Sequence, residues 1–179
     1  HVDTRNMSYG GRLTAEGINI DSFVPGMRLG LFSGQLKAKG RGTDIYSPRT
    51  NLTAALDVSR FAVARRDFSG LRASVRLVGG VARAELSNDN DMVSGNVTLS
   101  AIMHRKKVDA NLVCNLAKVD FQKLRITKKP FTVSLNSRLA LATDLSDNYK
   151  LQGVVADINM RDSMRTYHPE NVVAELLTR

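Results

Sequence analysis

The chain has 179 residues, 42% hydrophobic, 6% aromatic and 24% charged, with Lys+Arg 26 against Asp+Glu 17 for a formal net charge of +9. This excludes a disordered tail and fits one ordinary domain, or a one-domain slice of something longer, with enough apolar residues for a core. A single cysteine, Cys114, excludes an internal disulfide and, with three scattered histidines, a thiol-rich zinc site; the charge favours anionic partners.

Apolar runs reach only four residues, at 61–64 and 139–142, whereas a membrane-spanning helix needs about 20. Residues 1–20 carry no signal-peptide pattern, so any anchor or targeting signal is expected outside this segment.

Period-two alternation dominates from the first third onward, which predicts strands with one apolar and one polar face. Ala54, Leu56 and Val58 occupy alternating positions, and Phe61 follows one residue out of phase. Leu71, Ala73, Val75 and Leu77 alternate with Arg72, Ser74 and Arg76, and Ala82, Ala84 and Leu86 continue after Gly79-Gly80. Then come Val97, Leu99 and Ala101, followed by Val108, Ala110, Leu112, Cys114 and Leu116. Val133 and Leu135, and later Val154, Ala156, Ile158 and Met160, extend the pattern.

Turn signals recur about every ten residues: Pro25-Gly26, Gly40 to Gly42, Gly79-Gly80, 87–91 and 146–148. All four prolines fall at strand starts or turns. Residues 60–78 also fit a helical spacing through Phe61, Ala64, Phe68, Leu71, Val75 and Val78, but Gly70 in its middle costs about 1 kcal/mol, so strand is the preferred reading. A short helix is expected over 170–177, where Val173, Leu176 and Leu177 can share a face.

Internal similarity accompanies the alternation. The triplet Leu-x-Ala begins at Leu13, Leu36, Leu52, Leu71 and Leu99. At an offset of 58 residues, Ala54, Leu56, Val58 and Phe61 match Leu112, Cys114, Leu116 and Val119. Both series end with one shifted position, which predicts a β-bulge. The uneven spacing favours a long antiparallel sheet of similar curved strands over a fixed-rung β-helix.

Three stretches, 27–61, 71–101 and 108–126, together resemble the TamB branch of the AsmA-like envelope proteins, in the version found in Bacteroidetes-type bacteria. The resemblance covers about residues 9–160 and consists of patterning and turn residues without a catalytic signature. It implies a very long protein, anchored in the inner membrane by a helix outside this segment and crossing the periplasm as a rod. The implied rod is an all-β, long curled antiparallel sheet forming an open trough, or β-taco, with an apolar inner wall. The family works with a BamA/TamA-type outer-membrane barrel and is implicated in moving phospholipid to the outer membrane and in outer-membrane protein assembly. On this reading residues 1–160 form one continuous β-groove segment between flanking repeats of the same chain, and 161–179 form a terminal segment.

Physical dimensions permit the implied cargo. Half of a ten-residue strand rises about 15–17 Å, similar to one leaflet of a roughly 30 Å hydrocarbon core. The expected groove, facing phospholipid acyl chains, consists of Leu56, Val58, Leu77, Leu99, Leu112, Cys114, Leu116, Val133 and Leu135, converging on one concave and partly open surface. A closed lipocalin-like barrel, or a purely structural spacer, fits the same alternation.

Basic residues gather at predicted turns and edges: Arg65, Arg66, Arg105, Lys106, Lys107, Lys128 and Lys129. They read either as edge protection or as a rim that attracts phosphates. A β-rich module for nucleic acid or another polyanion is the alternative, but base stacking needs interleaved aromatics, and Tyr9, Tyr46, Tyr149 and Tyr167 are scattered without any tryptophan; nucleic acid is not expected. Gly40-Arg41-Gly42-Thr43-Asp44 lacks the third glycine and following helix of a dinucleotide site and reads as a turn. His1, His104 and His168 lack ligand spacing, and Cys114 reads as a small buried hydrophobe. With no catalytic or metal-ligand pattern, neither an enzyme nor a cofactor or metal is expected.

Overall fold

A computed structural model describes residues 2–3, 7–19, 29–63, 66–146 and 148–178. Its regular elements are all strands: β1 (Val2–Asp3), β2 (Ser8–Asn19), β3 (Leu29–Arg41), β4 (Asn51–Val63), β5 (Arg66–Asp67), β6 (Leu71–Val78), β7 (Val81–Asp89), β8 (Val93–His104), β9 (Lys107–Asp120), β10 (Phe131–Thr143), β11 (Tyr149–Asp162), β12 (Thr166–Tyr167) and β13 (Val172–Leu177). They form one antiparallel sheet whose neighbours follow chain order from β1 to β12, with β5 alongside β4 and β13 alongside β11. The path has two ends that do not pair with each other, so the sheet is open and the closed-barrel alternative falls.

The all-β antiparallel expectation holds, and two local readings are decided by pairing. Residues 60–63, 66–67 and 71–78 are strand, and the turn before β6 holds Gly70 at φ 84°, a conformation no helix interior holds. The helix expected over 170–177 is instead strand β13. Its residues Val172–Leu177 pair with Val155–Lys150 on the outer side of β11, and this pairing together with the β-branched Val172 and Val173 overrides the helical spacing.

Register carries the alternation from strand to strand, so side chains of one face line up in rows across the sheet. One row runs Leu13, Leu36, Leu56, Ala73, Leu86, Val97, Cys114. The next runs Ala38, Ala54, Val75, Ala84, Leu99, Leu112, Leu139. Both residues of each Leu-x-Ala triplet therefore stand on this apolar face. The opposite face carries rows such as Thr14, Gln35, Asp57, Arg72, Ser87, Asn96, Asn115, Asn136.

A line of register shifts crosses the sheet at one level. Ser59 is the extra residue between the pairs Val58↔Gly34 and Arg60↔Ser33, and Ala117 is the extra residue between Leu116↔Gly95 and Lys118↔Ser94. Further shifts lie beside Gly17 in β2 and Asp157 in β11, both at positive φ (61° and 52°). Ser59 and Ala117 are 58 residues apart, so the phase slip read from the sequence is a bulge in both strands. Bulges bend a strand and sharpen its twist, and here the bend buries Ala15, Val58 and Ile158.

Two glycines make the bend sterically possible. A Cβ on Gly34 would stand 2.7 Å from the Asp57 carbonyl oxygen, and one on Gly95 would collide with the Asn115 carbonyl oxygen. Gly11, on the same face but away from the bend, has open space. Gly34→Ala is therefore expected to destabilise by about 1–3 kcal/mol through backbone overlap, while Gly11→Ala is neutral or stabilises by up to about 1 kcal/mol. Urea-unfolding midpoints of the two variants check the opposite signs.

Candidate functional site

Building upward from the register, the nine residues expected to line a groove share one face. Leu77 stands in the outermost row, Leu99 and Leu112 in the next, Leu56 and Cys114 in the third, and Val58, Leu116 and Leu135 in the bulge row; Val133 lies just beyond, opposite Val119. Period-two geometry over strands of nearly equal length suffices to bring them together.

Both ends of this face are closed by loops. At one end the loop 42–50 folds over the strand tips. Ser47 N–H donates to the Asp44 carbonyl and Thr50 N–H to the Ser47 carbonyl, each at 3.0 Å, and Gly79 N–H donates to the Thr50 carbonyl at 3.0 Å. Thr50 is buried, and Leu77 beside it is only 5% exposed. The loop reaches on to the β8–β9 turn, where Arg105 meets the Asp44 carboxylate at 2.8 Å and lies 5.8 Å from the centre of the Tyr46 ring. Of the glycine-bearing segment 40–44, Gly40 and Arg41 therefore end β3, and 42–44 begin the loop that ties strand ends together.

At the other end Asn90 joins two loops. Its side-chain oxygen accepts from Met92 N–H (2.9 Å) and Val93 N–H (2.8 Å), and its amide donates to the Ser69 carbonyl at 3.1 Å. Met92 is buried there, with Phe32 edge-on to Phe61 (6.0 Å) and Phe121 tilted against Phe131 (5.4 Å) nearby in the same end region. Lys123, bonded to Asp91 at 2.9 Å, links the adjacent loops and holds the Asp91 carboxyl below its ordinary pKa.

Between the closed ends the apolar face is open. Leu13 is 66% exposed and Leu99 37%, and Leu36, Val75 and Leu86 are exposed as well. Leu56, Leu112, Cys114, Leu116, Val133 and Leu135 are half-buried, while Val58 at the bend is only 1% exposed. The accessible surface totals 12562 Å², against about 8,600 Å² for a compact monomer of this mass by the usual scaling. The excess fits a single layer on whose apolar face no described element packs.

The basic residues do not form one rim. Arg105, Lys106 and Lys107 lie at the β8–β9 turn, whereas Arg66, Lys128 and Lys129 lie at the opposite strand ends, about 40 Å away along strands of this length. Arg105 is paired with Asp44 and Lys107 with Asp109 at 2.9 Å, so each serves a local fold contact. Arg66 turns its Nε into a buried position. Arg65 lies outside the described residues.

Clustering by sequence proximity missed the real concentration of positive charge. Lys37, Lys39, Arg76 and Arg83 come from three separate segments and meet on the polar face through the register. The signal was present as alternation: each is out of phase with the leucines and alanines of its own strand.

Asp144 is held below its ordinary pKa by the Asn148 amide and the Ser146 N–H, and Asp162 by the N–H groups of Met164 and Arg165; both are exposed turn-forming carboxylates. Their contribution to the turns is present above the ordinary carboxylate pKa and is lost as pH falls through the lowered one. His104 is exposed, and no group of three potential metal ligands exists among the described residues.

No family model, curated protein or solved structure matches the chain. Among the described residues no helix is long and apolar enough to cross a membrane.

Closed ends and an open middle predict unequal costs for equal truncations. Leu77→Ala, under the 42–50 loop, is expected to cost about 2–4 kcal/mol, and Leu99→Ala about 1 kcal/mol, because its side chain already meets solvent. Equilibrium unfolding free energies of the two variants measure the difference.

Proposed function

We propose that the open middle of the apolar face holds phospholipid acyl chains, and that this segment belongs to a periplasm-spanning envelope protein of the TamB type, anchored to the inner membrane through another part of its chain. The observation that carries the reading is the uncovered apolar face of a single-layer sheet, closed at both strand ends. Contiguous exposed apolar surface beyond a few hundred Å² marks an interaction site in most soluble proteins. Covering each of Leu13, Leu36, Val75, Leu86 and Leu99 contributes about 1 kcal/mol, enough together to hold a tail while still releasing it.

In this reading the bend along the bulge line starts the curl of a trough, and the rows of apolar side chains give a tail moving across the strands a uniform surface. Such a surface has no deep pocket and no polar anchor, which suits passage more than storage. The exposed backbone edges of β2 and β13 would pair with flanking repeats, extending the same face along the rod. A BamA/TamA-type barrel at the outer membrane is the proposed terminus, with delivery of phospholipid or support of outer-membrane protein assembly as the outcome.

A photoreactive phenylalanine analogue placed at Leu36, Leu99 or Leu112 in the full-length protein tests this in cells. Phospholipid adducts at these positions, and none at Ser100 on the polar face, are the expected result. Adducts to protein alone at all three apolar positions would leave the sheet as a structural spacer.

A further inference from the structure

The face opposite the proposed acyl surface carries an unneutralised cationic cluster. Arg76 and Arg83 are direct cross-strand partners. Arg76 also faces Thr53, which faces Lys39. One row away Lys37, Ala55, Ser74 and Glu85 stand in line. An open depression of ≈ 690 Å³ lies among these side chains.

Some cations elsewhere on the sheet are paired with carboxylates, although Arg12 stands directly across from Lys37 and adds to the positive charge beside the cluster. Arg72 lies across from Asp57 at 3.8 Å, Lys150 lies 3.6 Å from Glu175, and Lys107 lies 2.9 Å from Asp109. The four cations of the cluster take part in none of the ion pairs or side-chain hydrogen bonds among the described residues. Glu85 is the single carboxylate in the depression, leaving four positive charges against one. Like charges directly across two strands destabilise a sheet. The Arg76–Arg83 pair is therefore held by the fold against its own repulsion, and an oxyanion between the two guanidinium groups removes that repulsion.

We propose that this cluster is a binding site for an anion bearing two phosphoryl groups. Arg76 and Arg83 take one phosphoryl group, since guanidinium forks match its oxygens bidentately. Lys37 and Lys39, two strands away and so about 10 Å distant, take the second as point charges. The Thr53 and Ser74 hydroxyls lie between them and suit the hydroxyls of a polyol or sugar linking the two. The small side chain of Ala55 leaves room for that linker. The site is independent of the acyl surface, because the sheet itself separates the two faces.

The test uses the full chain and fructose 1,6-bisphosphate as the probe, with fructose 6-phosphate and inorganic phosphate for comparison, in a low-salt buffer free of phosphate. Calorimetric titration is expected to show the bisphosphate binding at least tenfold more tightly than either comparison ligand. Arg76→Gln, Arg83→Gln and Lys39→Gln should each weaken it at least tenfold, while Lys128→Gln leaves it unchanged.

Thermal unfolding supplies a readout of opposite sign. Without ligand Arg83→Gln should melt higher than the parent chain, because the repulsion is gone, and the bisphosphate should raise the melting temperature of the parent alone. Equal affinity for the mono- and bisphosphate, or affinity indifferent to Arg76→Gln and Arg83→Gln, overturns the proposal. Binding to phosphatidic acid vesicles that soluble bisphosphate does not displace also overturns it, showing a membrane surface as the ligand. None of these outcomes bears on lipid adducts at Leu99, so the two proposals fail separately.

Discussion

A single antiparallel layer has to place its apolar side chains on one face and then live with that face. Everything else in this molecule follows from the constraint. Strict period-two alternation, carried across the sheet without a parity slip except at the bulge line, gathers the leucines, valines and alanines into rows. No second sheet or helix among the described residues packs on them. Cooperative backbone pairing along the sheet, end loops and one bend therefore take over much of the work that a two-layer core does in an ordinary domain.

The two ends and the bend are built from different chemistry. At one end a hydroxyl-rich loop, 42–50, supplies turn hydrogen bonds and reaches Arg105 through its one carboxylate, Asp44. At the other, Asn90 and two separate aromatic pairs, Phe32–Phe61 and Phe121–Phe131, hold the strand ends. The bend depends on glycines at positions 34 and 95, where backbone approaches backbone too closely for any side chain. Burial is concentrated at these features, as Val58, Leu77 and Met92 show, and the band between them stays open.

Much of this architecture was legible in the sequence. The alternation gave strand order and facing, and the matched phase slip at an offset of 58 residues located the bulges at Ser59 and Ala117. What escaped was set by pairing at a distance. The segment 172–177 spaces its apolar residues like a helix, yet a free edge on β11 recruits it as a strand. Arg105 and Lys128, 23 positions apart in the sequence, end up at opposite strand ends, while Lys39 and Arg83, 44 positions apart, stand in one row. Cationic clusters in a meander are a property of register, and register becomes readable only once every bulge has been placed.

The central claim is that the apolar face is uncovered between its closed ends, and cysteine accessibility in delipidated protein tests it most directly. In a Cys114→Ser background, Leu36→Cys and Leu99→Cys should react with a small neutral maleimide at rates within about tenfold of the unfolded chain, and Val58→Cys should be protected by at least a thousandfold, since protection reports the free energy of opening. Protection of Leu36→Cys and Leu99→Cys matching that of Val58→Cys would mean that another layer covers the face, and would contradict the account.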